Sequence, residues 1–156
     1  TLALVGVMAA LVQGLLIKSI IAKFGEHSTI IFGLSISMMA FLLYGMASTG
    51  WVVLVIIVFG SLSGVALPAI QGLVAGTVAR TEQGKVQGAL TSITSLTSIF
   101  SPLIFTTGLF SFFTSDRAPF IMPGAPFFLG SLLFFVALTI LVRLFQKQSK
   151  LFVENS

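Results

Sequence analysis

Five apolar runs, each long enough to cross a bilayer, follow one another in this chain, and nearly every charge falls in the breaks between them or in the tail. No other feature restricts the fold as much. A membrane span needs roughly 20 consecutive, predominantly apolar residues in helical form. Only 8 % of the residues are charged and 56 % are hydrophobic, whereas soluble domains carry about 25 % charged residues. The pattern predicts an all-α, polytopic transmembrane bundle, with helices over about 2–21, 30–47, 51–79, 85–113 and 126–144 in one partial domain, 1–156.

The breaks fix a direction. Lys18, Lys23, Arg80, Lys85, Arg143, Lys147 and Lys150 fall in the first and third breaks and at the C-terminal end. The second and fourth breaks hold only Arg117. Basic residues stay on the cytoplasmic side, so Thr1 is expected outside and the C-terminus inside, in an inner or plasma membrane. The net charge of +4 then reports orientation rather than an affinity for nucleic acid. The chain opens with Thr inside its first run, without a basic leader, and reads as a piece of a longer protein. There is no Cys, which excludes disulfides and thiolate metal sites.

Among the apolar runs, Gln83 to Thr106 (QGKVQGALTSITSLTSIFSPLIFT) is rich in Gly, Ser, Thr and Gln. Gly84, Gly88, Thr91, Ser95, Ser98 and Pro102 follow one another by four, three, four, three and four positions. That is a seam of small residues down one side of a helix. In lipid such a seam lets a second backbone come close. Gln87, Thr94 and Ser101 add amides and hydroxyls beside it. Two readings stay open, a packing surface and the lining of a solute path.

The other runs carry weaker signals. Gly6, Ala10 and Gly14 give the first helix a small-residue face beside Gln13, which either packs or lines a cavity. Gly25 is a natural terminator in the break that follows. His27 has a carboxylate neighbour and no second imidazole, so a solvated loop is expected rather than a metal site. Ser35 and Ser37 are readily satisfied by their own helix backbone. Trp51 fits an interfacial anchor.

The third run, about 29 residues, exceeds the ~20 needed to span and must tilt, bend or project. Gly60 and Gly64 form a GxxxG pair continued by Pro68, Gly72 and Gly76, and Pro68 should kink the helix. Loosened backbone is tolerated against protein or a water-filled cavity, which makes Gln71 a cavity candidate. Asp116 and Arg117 lie in a loop punctuated by Pro119, Pro123 and Pro126, and the basic tail is expected to fray.

No Asp, Glu, His, Lys or Arg lies deep within a predicted helix, and a proton relay needs such a group. No Ser/His/Asp set and no phosphate loop is present, so an enzyme is not expected, nor a cofactor. A solute path, whole or partial, or a structural membrane module remains.

Gly64 to Thr106 closely resembles the tetracycline-efflux proteins of the major facilitator superfamily, through Pro68-Ala69 with Gln71, Gln83-Gly84, Gln87-Gly88, Leu90, Thr94 to Ile99, Pro102 and Phe105-Thr106. The resemblance extends back through Gly50-Trp51 and AKFGE, Ala22 to Glu26, and forward to PGAPF, Pro123 to Phe127. It implies twelve helices in two halves that rock around a midplane site. The five spans look like helices eight to twelve, with the N-terminal half and helix seven lying outside the chain. It also implies export of a drug-like small molecule in exchange for protons, the coupling groups being in the missing half.

Members that export a magnesium–tetracycline chelate carry His and Asp where Ala9 and Ser37 stand here, so the resemblance carries over neither tetracycline nor a metal. Gln13 does match. Gln13, Gln71, Thr94 and Ser98 are the expected cavity residues. Pro68, Gly60, Gly64, Gly84, Gly88, Ser95 and Pro102 are the expected kink and packing positions, and Lys23, Gly25, Glu26, Gln83 and Gln87 the cytoplasmic-loop positions. A nutrient or sugar facilitator on the same fold and a non-transporting scaffold remain as alternatives.

Overall fold

The computed structural model describes residues 2–12, 14, 17–115 and 122–154, and all its regular structure is helical. Among the described residues, four stretches are long and apolar enough to cross a membrane: Ser19–Met46, Gly50–Gly76, Gln83–Phe113 and Ala125–Lys147. The first expected span is represented by α1 (Leu2–Leu11) and the opening turns of α2 (Ile17–Met46).

The break expected after the first span shrinks to one residue. Gly25, at φ 76 and ψ 166, is the non-helical point within α2. Without a Cβ, glycine enters that region at no steric cost. The flanking Lys, Ala and Glu favour helix on either side. Just past the bend, the Thr29 hydroxyl donates to the Gly25 carbonyl at 2.7 Å.

The third run changes helix type along its length. It is α3 (Gly50–Ser61), a 3₁₀ turn over Leu62–Val65, and α4 (Ala66–Gly76). The tighter turn lies just before Pro68. Pro68 sits in the first turn of α4, where a missing N–H is tolerated, and it cannot donate to the Gly64 carbonyl one turn back. The tighter 3₁₀ turn takes up the mismatch.

A single rod carries the small-residue seam: α5 (Gln83–Pro102), a π-helical stretch over Leu103–Phe110 and α6 (Ser111–Phe113). Widening begins directly after Pro102, whose ring would crowd the carbonyl four residues before it in a regular helix. The last helix, α7 (Ala125–Glu154), continues through the tail that was expected to fray. Its Gln, Lys and Leu residues are good helix formers, and no Gly or Pro stops it.

α2 is the hub, in contact with α3, the 3₁₀ turn, α4 and α7. Ile30, Leu34 and Ala69 are buried, with Leu73, Phe134, Leu138 and Phe145 against them. Helices come close where a side chain is missing. A Cβ on Gly33 would lie 2.7 Å from the Cβ of Ala66, one on Gly45 would meet the Phe128 ring at 2.9 Å, and Gly130 lies under the ring of Phe41. The buried Ser131 of α7 donates to the Met38 carbonyl of α2 at 3.0 Å.

Candidate functional site

α2 presents Ser37, Ala40, Phe41 and Tyr44 on one face, at steps of three, one and three residues. Facing them are Ile57, Gly60 and Ser61 of α3 and Ser63 and Gly64 of the 3₁₀ turn. Small residues on both sides hold the backbones near each other and leave no bulk to fill the gap. A Cβ on Gly60 would lie only 3.2 Å from that of Ala40. The result is a crevice of about 250 Å³, closed on one side by Val5 of α1.

Its polar lining is hydroxyl only. Ser61 donates to the Val58 carbonyl at 2.7 Å. The hydroxyls of Ser37, Tyr44 and Ser63 have no hydrogen-bond partner among the described residues. No fully buried polar side-chain atom there lacks a partner. The Ser37 hydroxyl, on a residue only 8 % exposed, is therefore open to the crevice. Ser35 does bond its own helix, at the Ile31 carbonyl, 2.8 Å. Ser37 departs from the expectation it shared with Ser35. Its seven-residue spacing from Tyr44 sets the two on one face, but only the structure shows which small residues lie opposite.

A second, larger crevice, about 620 Å³, lies between α2, the Pro102 region and α7. Leu34, Phe41, Phe105, Leu133 and Phe134 make it apolar, with Ser101 and Thr106 at its edge. Phe41 and Tyr44 also form a ring cluster with Phe127 and Phe134, at centroid distances of 5.2 to 6.4 Å.

The residues predicted to line a cavity do not converge. Gln13 lies outside the described residues, as do Asp116 and Arg117. Gln71 is half-buried on α4 and lines neither crevice. Thr94 and Ser98 are exposed, and each hydroxyl turns back to its own helix, Thr94 to the Leu90 and Thr91 carbonyls and Ser98 to the Thr94 carbonyl. Nothing lies within 4 Å of a Cβ built on Gly84 or Gly88. Ser95 and Pro102 are exposed as well, and the span Gln83–Phe113 is unburied along its most apolar stretch.

Charged groups gather away from both crevices. Glu26 lies against Gly72, its Oε1 3.2 Å from where a Cβ would stand, and His27 sets its ring edge-on to Phe145 at 4.1 Å. These contacts bring the Gly25 bend, the end of α4 and the C-terminal part of α7 to one end of the bundle. In the α4–α5 connection Gln83 donates its amide to the Ala75 carbonyl at 3.2 Å, and Lys85 approaches Glu82 at 3.6 Å. Gln87 is half-buried one turn further on. At the other end Gly124 packs on the backbone of Gly45. No group of three His, Cys, Asp or Glu that could hold a metal ion occurs among the described residues.

Residues 1–152 match the model of the Major Facilitator Superfamily. The chain is 33 % identical over 145 residues to the class G tetracycline resistance protein of Vibrio anguillarum, covering 93 % of this chain and 35 % of that protein. It is 35 % identical over 105 residues to the class D protein of Salmonella ordonez, covering 67 % of this chain and 27 % of that one. A more distant relative is human Hippocampus abundant transcript-like protein 1, 26 % identical over 157 residues and covering 92 % of this chain. The chain spans about a quarter to a third of the length of these relatives. No solved structure gives a significant match.

Proposed function

The chain belongs to the Major Facilitator Superfamily, and from that premise we propose that it forms the C-terminal part of a proton-coupled exporter of drug-like small molecules. It is a multi-pass membrane protein of a transporter family, not an enzyme. The observation that carries the reading is the 33 % identity to a tetracycline resistance protein, sustained over 93 % of the chain.

In such a protein two halves rock about a site near the midplane. This chain supplies shape and neutral hydrogen bonds to that site, from Gln13, Gln71, Thr94 and Ser98. Each of these keeps an oxygen acceptor, even where a hydroxyl hydrogen is engaged by its own helix. Gly60, Gly64, Gly84, Gly88 and Ser95 let helices approach, and Pro68 and Pro102 set the bends. Lys23, Gly25, Glu26, Gln83 and Gln87 form the cytoplasmic rim, with Thr1 outside. Proton coupling needs a group that changes charge within the protein. Among the described residues the charged groups lie around the Gly25 bend, in the α4–α5 connection and in the C-terminal half of α7, so coupling resides in the remainder of the longer protein.

The test uses the full-length protein in energised vesicles, with tetracycline and ethidium as probes. A proton gradient should drive uphill export of at least one probe. Proton release on probe addition in detergent should survive Glu26→Gln, Glu82→Gln and Asp116→Asn together, even if turnover slows. Loss of that release with binding intact places the coupling group in this part and overturns the assignment. Gradient-independent equilibration favours a nutrient or sugar facilitator. No movement of any solute would leave a scaffold.

A further inference from the structure

We propose that the C-terminal turns of α7 form a docking stripe for anionic phospholipid headgroups, built on one side of the helix from Arg143, Lys147 and Lys150. Leu132, Val136, Arg143, Lys147 and Lys150 follow one another by four, seven, four and three residues. At about 100° per residue those steps return to one side of α7. Phe134, Leu138, Leu141 and Phe145 occupy the other side, packed on the core at Ile30, Leu34 and Ala69. On the outward side Leu132 and Val136 are 56 % and 45 % exposed, and Arg143 and Lys147 are exposed as well. One stripe thus turns from apolar to basic without leaving its side of the helix. A surface that meets lipid tails first and headgroups next has that order of chemistry.

The heights agree. Ala125 to Val142, at about 1.5 Å per residue, covers about 27 Å, close to the ~30 Å of a hydrocarbon core. Arg143 then stands at the edge, with Lys147 and Lys150 about 6 and 10 Å beyond it, within about a Debye length. His27, two residues past the Gly25 bend, sets its ring against Phe145 at 4.1 Å, which puts the floor of the bundle at the same level. The helix runs on past it to Glu154. No carboxylate pairs with Arg143 or Lys147 among the described residues. Those of Glu26 and Glu82 lie instead against Gly72 and Lys85. The positive-inside rule counts basic residues on one side of a membrane, and it does not set them on one side of one helix. An acidic protein segment would satisfy the charges but not the apolar stretch that runs into them, which favours lipid. The inference requires only that the chain spans a membrane, and it stands or falls apart from transport.

The chain has no cysteine, so a thiol placed in it reports on its own position. Gln146, exposed beside the stripe, is replaced as Gln146→Cys in the full-length protein, any Cys elsewhere being replaced by Ser, and labelled with bimane. The protein is reconstituted in vesicles of phosphatidylcholine and phosphatidylglycerol, either lipid in turn carrying a nitroxide quencher near the top of its acyl chain. Each basic residue near a charged surface favours anionic lipid about fivefold, so phosphatidylglycerol should quench about threefold or more better at equal quencher content. With Arg143→Gln, Lys147→Gln and Lys150→Gln together the two lipids should quench equally, since Gln keeps the helix and removes only the charge. With Arg143→Lys, Lys147→Arg and Lys150→Arg together the preference should remain. Equal quenching before any of these changes would mean that the stripe holds no anionic lipid, as when an acidic segment of the longer protein covers it. A preference that survives the Gln substitutions, or is lost in the charge-conserving variant, would belong to something other than these charges. Each of these results overturns the proposal.

Discussion

Two helices of this protein carry small residues at helical spacing, and they end in opposite surroundings. On α2, Gly33 and Gly45 are filled positions, with Ala66 and Phe128 seated against them, and Ile30 and Leu34 are buried in the core. On α5, Gly84 and Gly88 face open space, and Ile93, Leu96 and Ile99 are more than half exposed. The denser seam is the uncovered one. Small residues say that a backbone is to be approached, because lipid gives helices no hydrophobic reason to associate. They do not say which backbone. For α2 the partners are α4 and α7 of the same chain. For α5 we propose a segment of the remainder of the longer protein, since this chain covers only 27–35 % of its tetracycline resistance relatives.

The largest effect is expected where that contrast is sharpest. Gly33→Leu puts a branched side chain where even a Cβ would stand 3.1 Å from the backbone nitrogen of Ala66. Backbone cannot step aside as the tip of a side chain can, so α2 and α4 must separate. Overpacking costs about 1–3 kcal/mol and occasionally more, and this substitution belongs at the upper end. Thermal unfolding of the full-length protein in detergent measures it. An unchanged midpoint would show that α2 is not packed on α4.

Gly88→Leu and Ser98→Phe probe the other side of the comparison. Nothing in this chain opposes a side chain at Gly88. If a segment of the full-length protein covers the seam, each variant should lose about 1–3 kcal/mol by overpacking, with transport impaired. Normal stability and transport in both would mean that the seam faces lipid, and the two helices would then differ in kind rather than in which partner they meet.

The sequence disclosed some of this physics and concealed the rest for definable reasons. The spans were legible because a bilayer imposes a length on every apolar run, and Gly25 was legible as an interruption, though not as a one-residue bend within a helix, because backbone chemistry is local. Register between helices is not local. The closeness of Gly33 to Ala66 depends on how α2 and α4 are set side by side, and Gly33 stands in an apolar run that gives no sign of it. The candidate site suffered from the same limit. Thr94 and Ser98 attract notice in a polar stretch, yet their hydroxyls close on their own helix. Ser37 looks like Ser35 in the sequence, but only Ser35 bonds its own backbone. Which of two neighbouring serines opens to a crevice is decided by what faces each, here Gly60 and Ser61 across from Ser37.

The smallest effect separates two serines that are nearly equally buried. Ser131 is 6 % exposed and Ser37 8 % exposed, so loss of a hydroxyl removes similar bulk from each. Ser131 donates to the Met38 carbonyl on another helix. An interhelical bond of that kind in a membrane protein contributes about 0.6–2 kcal/mol. Ser131→Ala should destabilise the full-length protein by that amount, since the Met38 carbonyl loses a donor that no water replaces. Ser37→Ala deletes a hydroxyl with no protein partner, so its change should stay within about 0.5 kcal/mol, less than for a lost hydrogen bond. The pair is compared by unfolding midpoint in one detergent, so that differences in denatured state largely cancel. Equal losses would mean that the Ser37 hydroxyl is held by a partner in the longer protein, and the crevice would then be packed rather than open.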